Sequence, residues 1–191
     1  MRNKSKSLLV IICHSLFFVF IFSSLASALN SISLPVRLTV AQNFSLVINT
    51  AQLDFGKVTP GDAKFDIPLT DPGLRITAVT NAGNPWFLQV SASSDFINTA
   101  TGVAATLPLS ILHWYPIYSE YQGISPAPGT INTPPPGQSF TMTTSPVLIY
   151  SSGIADKVTL STLVDLRFGV VVPADALQGT YQTTVKFTMT E

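Results

Sequence analysis

Residues 32–48, ISLPVRLTVAQNFSLVI, decide the fold class, because apolar and polar side chains alternate along nearly the whole stretch. The even positions carry the apolar row: Ile32, Leu34, Val36, Leu38, Val40, Phe44, Leu46 and Ile48. Side chains of an extended chain point to opposite faces in turn, so this pattern predicts β structure with one apolar face. At about 3.3 Å per residue the stretch spans more than about 50 Å, which exceeds an ordinary strand. Either it bends near Gln42 into two strands, or its first half leaves the domain and pairs elsewhere.

An N-terminal signal peptide is predicted over residues 1–28. Residues 1–6 contain basic side chains and no acidic ones, residues 7–25 are almost entirely apolar, and Ala26-Ser27-Ala28 has the small-x-small pattern that signal peptidase accepts. An apolar run of this length would also suit a retained membrane anchor. The cleavage pattern favours removal before Leu29. We therefore expect a secreted or cell-surface protein that contacts the membrane only through its leader before cleavage.

The composition indicates an all-β domain. Only 10% of the residues are charged, β-branched residues and prolines are plentiful, and turn-forming residues recur at short spacing. We predict a single immunoglobulin-like antiparallel β-sandwich over residues 51–191, preceded by an alternating N-terminal strand segment over residues 29–50. The predicted strands are 32–40, 44–50, 52–58, 74–80, 86–92, 107–115, 139–149, 158–172 and 181–190. In the last two, Phe168 and Phe187 lie on the rows that alternation assigns to the core.

The residues left after cleavage do not favour catalysis, a metal site or a cofactor. His113 is their only histidine and they contain no cysteine, so a hydrolytic triad would depend on that one imidazole. Asp62, Asp66 and Asp71 lie close together, but their spacing fits no EF-hand loop and aspartate is common in turns. Removing the leader leaves a net charge of about −3, which gives no electrostatic footprint for nucleic acid. We therefore expect a protein that is not an enzyme.

The most aromatic stretch, residues 113–121, is a candidate ligand surface. Flat aromatic rings with a polar rim bind sugars or proteins, because they bury a large area at low entropic cost. The candidate ligand contacts are Trp86, Trp114, Tyr115, Tyr118 and Tyr121. In the alternative interpretation Trp114 fills the core and the tyrosines cover a sheet edge. The following residues 122–137 are rich in proline and glycine, which predicts a surface loop.

Two segments resemble the motifs of WxL-type cell-surface domains. Tyr181, Val185, Phe187 and Met189 have the spacing of the distal motif, in which a tyrosine, an aliphatic residue, a tryptophan and a leucine follow in order. Trp86-Phe87-Leu88 stands where the proximal motif would. Phe187 and Met189 replace the tryptophan and leucine of the family. The resemblance implies binding to cell-wall glycan.

More broadly, the chain resembles bacterial fimbrial β-sandwich subunits, with a leader, an alternating N-terminal segment and a final alternating strand. In chaperone–usher assembly such a segment completes the sheet of a neighbouring subunit, so the resemblance implies that copies of this chain are partners. The candidate assembly residues are Ile32, Leu34, Val36, Leu38 and Val40. In the alternative interpretation these residues form the first strand of their own sandwich. We therefore expect a non-catalytic structural or adhesive surface protein, such as a filament subunit, with a WxL-like cell-wall or glycan binding module as the alternative.

Overall fold

The computed structural model describes residues 34–41, 43–68, 72–81, 83–100, 104–153 and 161–191. The predicted leader, Ile32 and Asp71 lie outside these ranges. The chain divides into two compact units, residues 1–40 and 41–191. In the first unit the described residues 34–40 form neither helix nor strand. The second unit begins at Ala41, so the strand that follows at residues 44–48 belongs to the sandwich and not to the N-terminal segment.

The second unit is an all-β structure of antiparallel sheets, which confirms the predicted β-sandwich. Its strands are β1 (Phe44–Ile48), β2 (Ala63–Ile67), β3 (Leu74–Thr80), β4 (Phe87–Ala92), β5 (Phe96–Asn98), β6 (Thr106–Leu107), β7 (Leu112–Tyr121), β8 (Thr130–Ile131), β9 (Phe140–Thr141), β10 (Val147–Ser151), β11 (Thr162–Val171), β12 (Tyr181–Gln182) and β13 (Val185–Thr190). A 3₁₀ helix at Leu109–Ile111 precedes β7. The larger sheet has the order β1-β3-β11-β7-β9, with β2 also paired to β11. The smaller sheet, which faces it across the core, has the order β13-β4-β10-β8. A small third sheet has the order β12-β5-β6.

Strand β11 is the centre of the larger sheet, because it pairs with β2, β3 and β7. Its inward row is fully buried, as the alternation of residues 158–172 predicts for the part that the structure describes. That row comprises Val164, Leu166, Phe168 and Val170. It packs with Leu88 and Val90 of β4 and with Ile149 of β10 in one apolar core between the two sheets.

The predicted strand over residues 52–58 is not formed. The Asp54 carboxylate accepts a hydrogen bond from the Gly56 N–H at 2.7 Å, and Gly56 has a φ of 63°, so the chain turns where a strand would continue. The apolar side chains Leu53, Phe55 and Val58 still pack against the core without joining a sheet. The alternation of residues 52–58 therefore reflects burial and not strand pairing. The adjacent strand is β2, which the sequence prediction missed.

The strand predicted over residues 32–40 is likewise not formed in its described part, residues 34–40, and the strand predicted over 74–80 forms as β3. The remaining predicted strands form with shifted bounds. The strand placed at 107–115 begins at Leu112 and runs to Tyr121, because the 3₁₀ helix occupies its expected start. The stretch 139–149 forms two strands, β9 and β10, in different sheets, and 181–190 divides into β12 and β13. The turn expected at residues 59–62 is present, with the Asp62 N–H donating to the Thr59 carbonyl at 3.0 Å.

Candidate functional site

The apolar row of the N-terminal segment lies in solvent where the structure describes it. Leu34, Val36, Leu38 and Val40 are 83%, 88%, 84% and 74% exposed. Fully burying an aliphatic side chain of this size is worth about 1.5–3 kcal/mol relative to leaving it in water. The row is therefore a strong candidate for burial against a partner.

The residues that lead from this segment into β1 are hydrogen-bonded to the side chain of Asn81, which follows β3. Its amide donates to the Ala41 carbonyl at 2.9 Å, and its oxygen accepts the Asn43 N–H at 2.6 Å. The side chain thus bonds two backbone groups just before β1 begins, and it fixes the first residues of the larger unit.

Three of the predicted ligand contacts lie in the core, which corrects their assignment. Trp86 is 1% exposed, Trp114 is 0% exposed and Tyr121 is 4% exposed. The Trp86 ring packs on Tyr150, with 5.2 Å between ring centroids, and the Trp114 ring packs on Phe140 at 4.7 Å. These rings fill the space between the sheets and present no face to a surface ligand. For Trp114 this agrees with the alternative interpretation, in which the residue fills the core.

The remaining two predicted contacts, Tyr115 and Tyr118, lie on the outer face of the larger sheet. Residues three apart in a regular strand lie on opposite faces, but these two share a face because a β-bulge interrupts β7. The bulge is seen in the pairing with β11, where Tyr118 lies opposite Asp165 and Pro116 lies opposite the next residue, Leu166. The extra residue, Ile117, is 44% exposed.

Both tyrosine hydroxyls donate to carboxylates, and this fixes the positions of their rings. Tyr115 donates to Asp66 of β2, and Tyr118 donates to Glu120 at 2.6 Å. Burial, and then the hydrogen bond to Asp66, raise the pKa of Tyr115 to about 12. The hydrogen bond to Glu120 is the main cause of a raised pKa for Tyr118. Both phenols are therefore neutral hydrogen-bond donors at physiological pH.

An ion pair crosses the same face next to Tyr118. Arg75 of β3 donates two hydrogen bonds of 2.8 Å to the two carboxylate oxygens of Asp165. The Asp165 side chain is 2% exposed, whereas that of Arg75 is 32% exposed. The bidentate geometry satisfies a carboxylate that would otherwise be buried without a partner, and the hydrogen bond raises the pKa of Arg75. Sequence analysis missed this pair, since its members are 90 residues apart and no local pattern connects them.

His113, the one candidate for acid–base chemistry, also lies on the outer face. Its Nδ1 is 3.0 Å from the Ser139 hydroxyl, its ring lies 5.9 Å from the ring of Phe65, and burial lowers its pKa. Histidine and serine alone lack the carboxylate that orients the imidazole in a triad. In the part of the chain that the structure describes, no group of three or more His, Cys, Asp or Glu side chains is placed to hold a metal ion.

The two segments that carry the WxL resemblance lie largely on the neighbouring strands β4 and β13, whereas Tyr181 lies on β12 of the third sheet. Trp86-Phe87-Leu88 leads into β4, which pairs with β13, and Met189 lies opposite Leu88 while Phe187 lies opposite Val90. Phe187 and Met189 are half-buried at the edge of the smaller sheet and pack against the core.

Comparison with known proteins adds little to this geometry. No family model and no curated protein matches the chain. A similar solved structure is a family 123 glycoside hydrolase from Clostridium perfringens, with a TM-score of 0.38 and 15% identity. The match covers 78% of this chain and 24% of that protein, so this chain spans about a quarter of its length. A likeness this distant assigns neither fold nor activity. Within the described ranges no helix is both long and apolar enough to span a membrane.

Proposed function

We propose that the protein is an exported, non-catalytic structural or adhesive component of the cell surface, and that copies associate into filaments by strand addition. In this proposal residues 32–40 of one copy extend a sheet of another copy. Main-chain hydrogen bonds supply affinity, and alternate side chains supply register. Residues 1–28 direct export and are removed.

The observation that carries the proposal is the exposure of the apolar row at residues 34–40. Four aliphatic side chains in seven residues are 74–88% exposed, and clustered exposed apolar side chains mark an interaction site. Polar side chains alternate with them, so the segment has the pattern of a strand with one face to bury. The segment is therefore suited to complete a sheet on another molecule.

The test inverts the pattern. The double variant Leu34→Asp and Leu38→Asp places charges on the apolar row, and the matched control Arg37→Asp and Thr39→Asp places them on the polar row. We expect the first variant to remain a folded monomer and the control to form filaments in negative-stain images. Filaments from both variants, or a wild-type protein that stays monomeric at high concentration with assembly factors present, would refute strand addition. Melting with and without a peptide of residues 30–42 shows whether the segment is needed for folding itself.

Export is tested separately by N-terminal sequencing of the secreted protein, which should begin at Leu29. A cell-associated product that retains residues 1–28 would replace export with membrane anchoring.

A second candidate function is binding to cell-wall glycan through the outer face of the larger sheet. The observation that favours it is the pair of tyrosines, Tyr115 and Tyr118, beside Asp66, Glu120 and the Arg75–Asp165 ion pair. Aromatic rings with fixed polar neighbours suit the alternating apolar and hydroxyl faces of sugars. The variant Tyr118→Ala should abolish retention on purified cell walls, while Thr184→Ala on another surface should not. Equal retention of both variants would exclude this face.

A further inference from the structure

The edge strand β1 directs half of its backbone groups away from the sheet. The Asn81 N–H donates to the Asn43 carbonyl, and the Asn49 N–H donates to the Arg75 carbonyl. Residues of an antiparallel strand alternate in which neighbour they bond, so the odd residues 43–49 bond to β3. The even residues Phe44, Leu46 and Ile48 therefore turn their N–H and C=O groups towards the opposite side. Within the described ranges no other strand pairs with β1 there.

The side chains of these even residues point into the sandwich but are incompletely covered. Their partners on β3 are the buried Thr80, Ala78 and Ile76, which shows that the row faces inward. Phe44 and Ile48 are nevertheless 42% exposed each.

β13 is an edge strand of the smaller sheet, whose order is β13-β4-β10-β8. On β13 the inward row of Val185, Phe187 and Met189 is also only half-buried. Both edge strands therefore leave part of their inward apolar row uncovered, where an added strand would bury it.

β1 is better suited to accept that strand than β13, β8 or β9. Its sequence FSLVI contains no charged residue and no proline, and these are the features by which natural edge strands prevent pairing. β13 carries Lys186 near its centre. β8 and β9 are two residues long each, too short to template a strand.

We infer that the free edge of β1 is the acceptor for residues 32–40 of a second copy, paired antiparallel with even residues opposite even residues. This inference rests on the strand addition proposed above and assigns its site. In this register Arg37 lies opposite Val47. Val36, Leu38 and Val40 then lie over the half-covered inward row of β1, opposite Ile48, Leu46 and Phe44. Arg37 and Thr39 lie on the outer face with Ser45 and Val47.

Proline 35 supports this register. In an antiparallel pair, residues opposite the even positions of β1 turn their own N–H groups towards β1. Pro35 is odd, so the N–H that it lacks would point away from β1 and no ladder bond is lost. In a parallel pair with the even residues facing inward, or in an antiparallel pair with odd residues opposite even ones, the missing donor would fall on the β1 side.

Cysteine pairs test the site and the register together. The only natural cysteine, Cys13, lies in the predicted leader, so the exported protein without residues 1–28 is a clean background for introduced cysteines. Val47 is 57% exposed on the outer face, and odd residues form the closely spaced non-hydrogen-bonded pairs, with Cα atoms about 4.5 Å apart, within disulfide range. Full-length exported protein carrying Val47→Cys is mixed with separate chains carrying Arg37→Cys or Thr39→Cys. We expect a mixed disulfide, detected by mass spectrometry, from at least one of the two mixtures.

Two controls make the result decisive. Leu38→Cys lies on the opposite face and should not cross-link to Val47→Cys. Lys186→Cys on β13 offers the alternative acceptor and should not cross-link to the donor variants. Cross-linking to Lys186→Cys in place of Val47→Cys would overturn the β1 site and leave strand addition standing. Loss of all association would overturn both.

A substitution on β1 itself gives an independent measurement. Phe44→Pro removes an N–H that points to the open side and bonds nothing on β3, and Phe44→Ala removes the same ring but keeps the N–H. We expect the proline variant to associate about fivefold more weakly than the alanine variant, the value of one hydrogen bond, with melting temperatures alike. Equal association of the two folded variants would show that the backbone of β1 accepts no strand.

Discussion

Truncating Phe168 to alanine tests the assignment of the core. Its side chain is 0% exposed, at the centre of β11, with Ile67 of β2 and Trp114 of β7 as its two cross-strand partners. Because strands on both sides keep the surrounding residues in place, the cavity left by the ring cannot collapse. The free energy of unfolding should therefore fall by the transfer free energy of the ring together with a cavity term, about 3–5 kcal/mol. For a unit of this size we expect the melting temperature to fall by about 10–15 °C.

Phe187 provides the comparison, because alternation alone assigns it the same role. It lies on the edge strand β13 and is half-buried, so Phe187→Ala should cost less, about 1–2 kcal/mol. Thr184→Ala is the outward control and should cost under about 0.5 kcal/mol, since the Thr184 side chain is exposed and its backbone carbonyl, which accepts the Ser93 N–H, is kept. Urea unfolding followed by tryptophan fluorescence measures all three. Equal losses for the two phenylalanines would refute the difference in burial between a central and an edge strand.

Three further outcomes follow from the outer face of the larger sheet. Arg75→Ala leaves the buried Asp165 carboxylate without its partner. We expect the free energy of unfolding in urea to fall by about 2–3 kcal/mol, and not more, because Arg75 is a third exposed. A smaller loss than that of Thr184→Ala would contradict the pairing. Burial lowers the pKa of His113 in the folded protein below its ordinary value of 6.5. As the pH falls below 6.5, the unfolded chain therefore binds a proton at His113 before the folded protein does, and the stability of the fold should decline. His113→Gln should flatten this decline in melting temperature measured between acidic and neutral pH, and an unchanged profile would assign the decline to other groups. A Cβ at position 169 would overlap the Phe65 ring, so Gly169→Ala should cost about 1–3 kcal/mol in thermal melts. Adding Phe65→Ala should recover most of that loss, and equal stability of the single and double variants would show that the ring does not cause it.

Local alternation was enough to predict the fold class and the inward rows of the best-patterned strands. The apolar positions of residues 162–171 are buried where alternation placed them, because the period of two is a property of the extended backbone and needs no information from elsewhere. The same local rule marks the even residues 34–40 as a row that requires burial. It does not identify the surface that buries them.

Local pattern failed where another interaction competed with strand geometry. At residues 52–58 the Asp54 side chain captures a backbone N–H and turns the chain. At Tyr115 and Tyr118 a single extra residue changes the phase of alternation.

Tertiary structure alone decided which aromatic rings fill the core, which charges meet and which edge remains open. Trp114 and Tyr115 are adjacent in a uniformly aromatic stretch, and only the second sheet above β7 makes one of them core and leaves the other on the outer face. Arg75 and Asp165 meet because β3 and β11 are neighbours in the sheet. Among the described strands, β1 has one side without a partner because the order of the strands places it at the edge. The physical reason is that side-chain direction is set residue by residue along the chain, whereas neighbours are chosen by the burial and hydrogen bonding of all strands together.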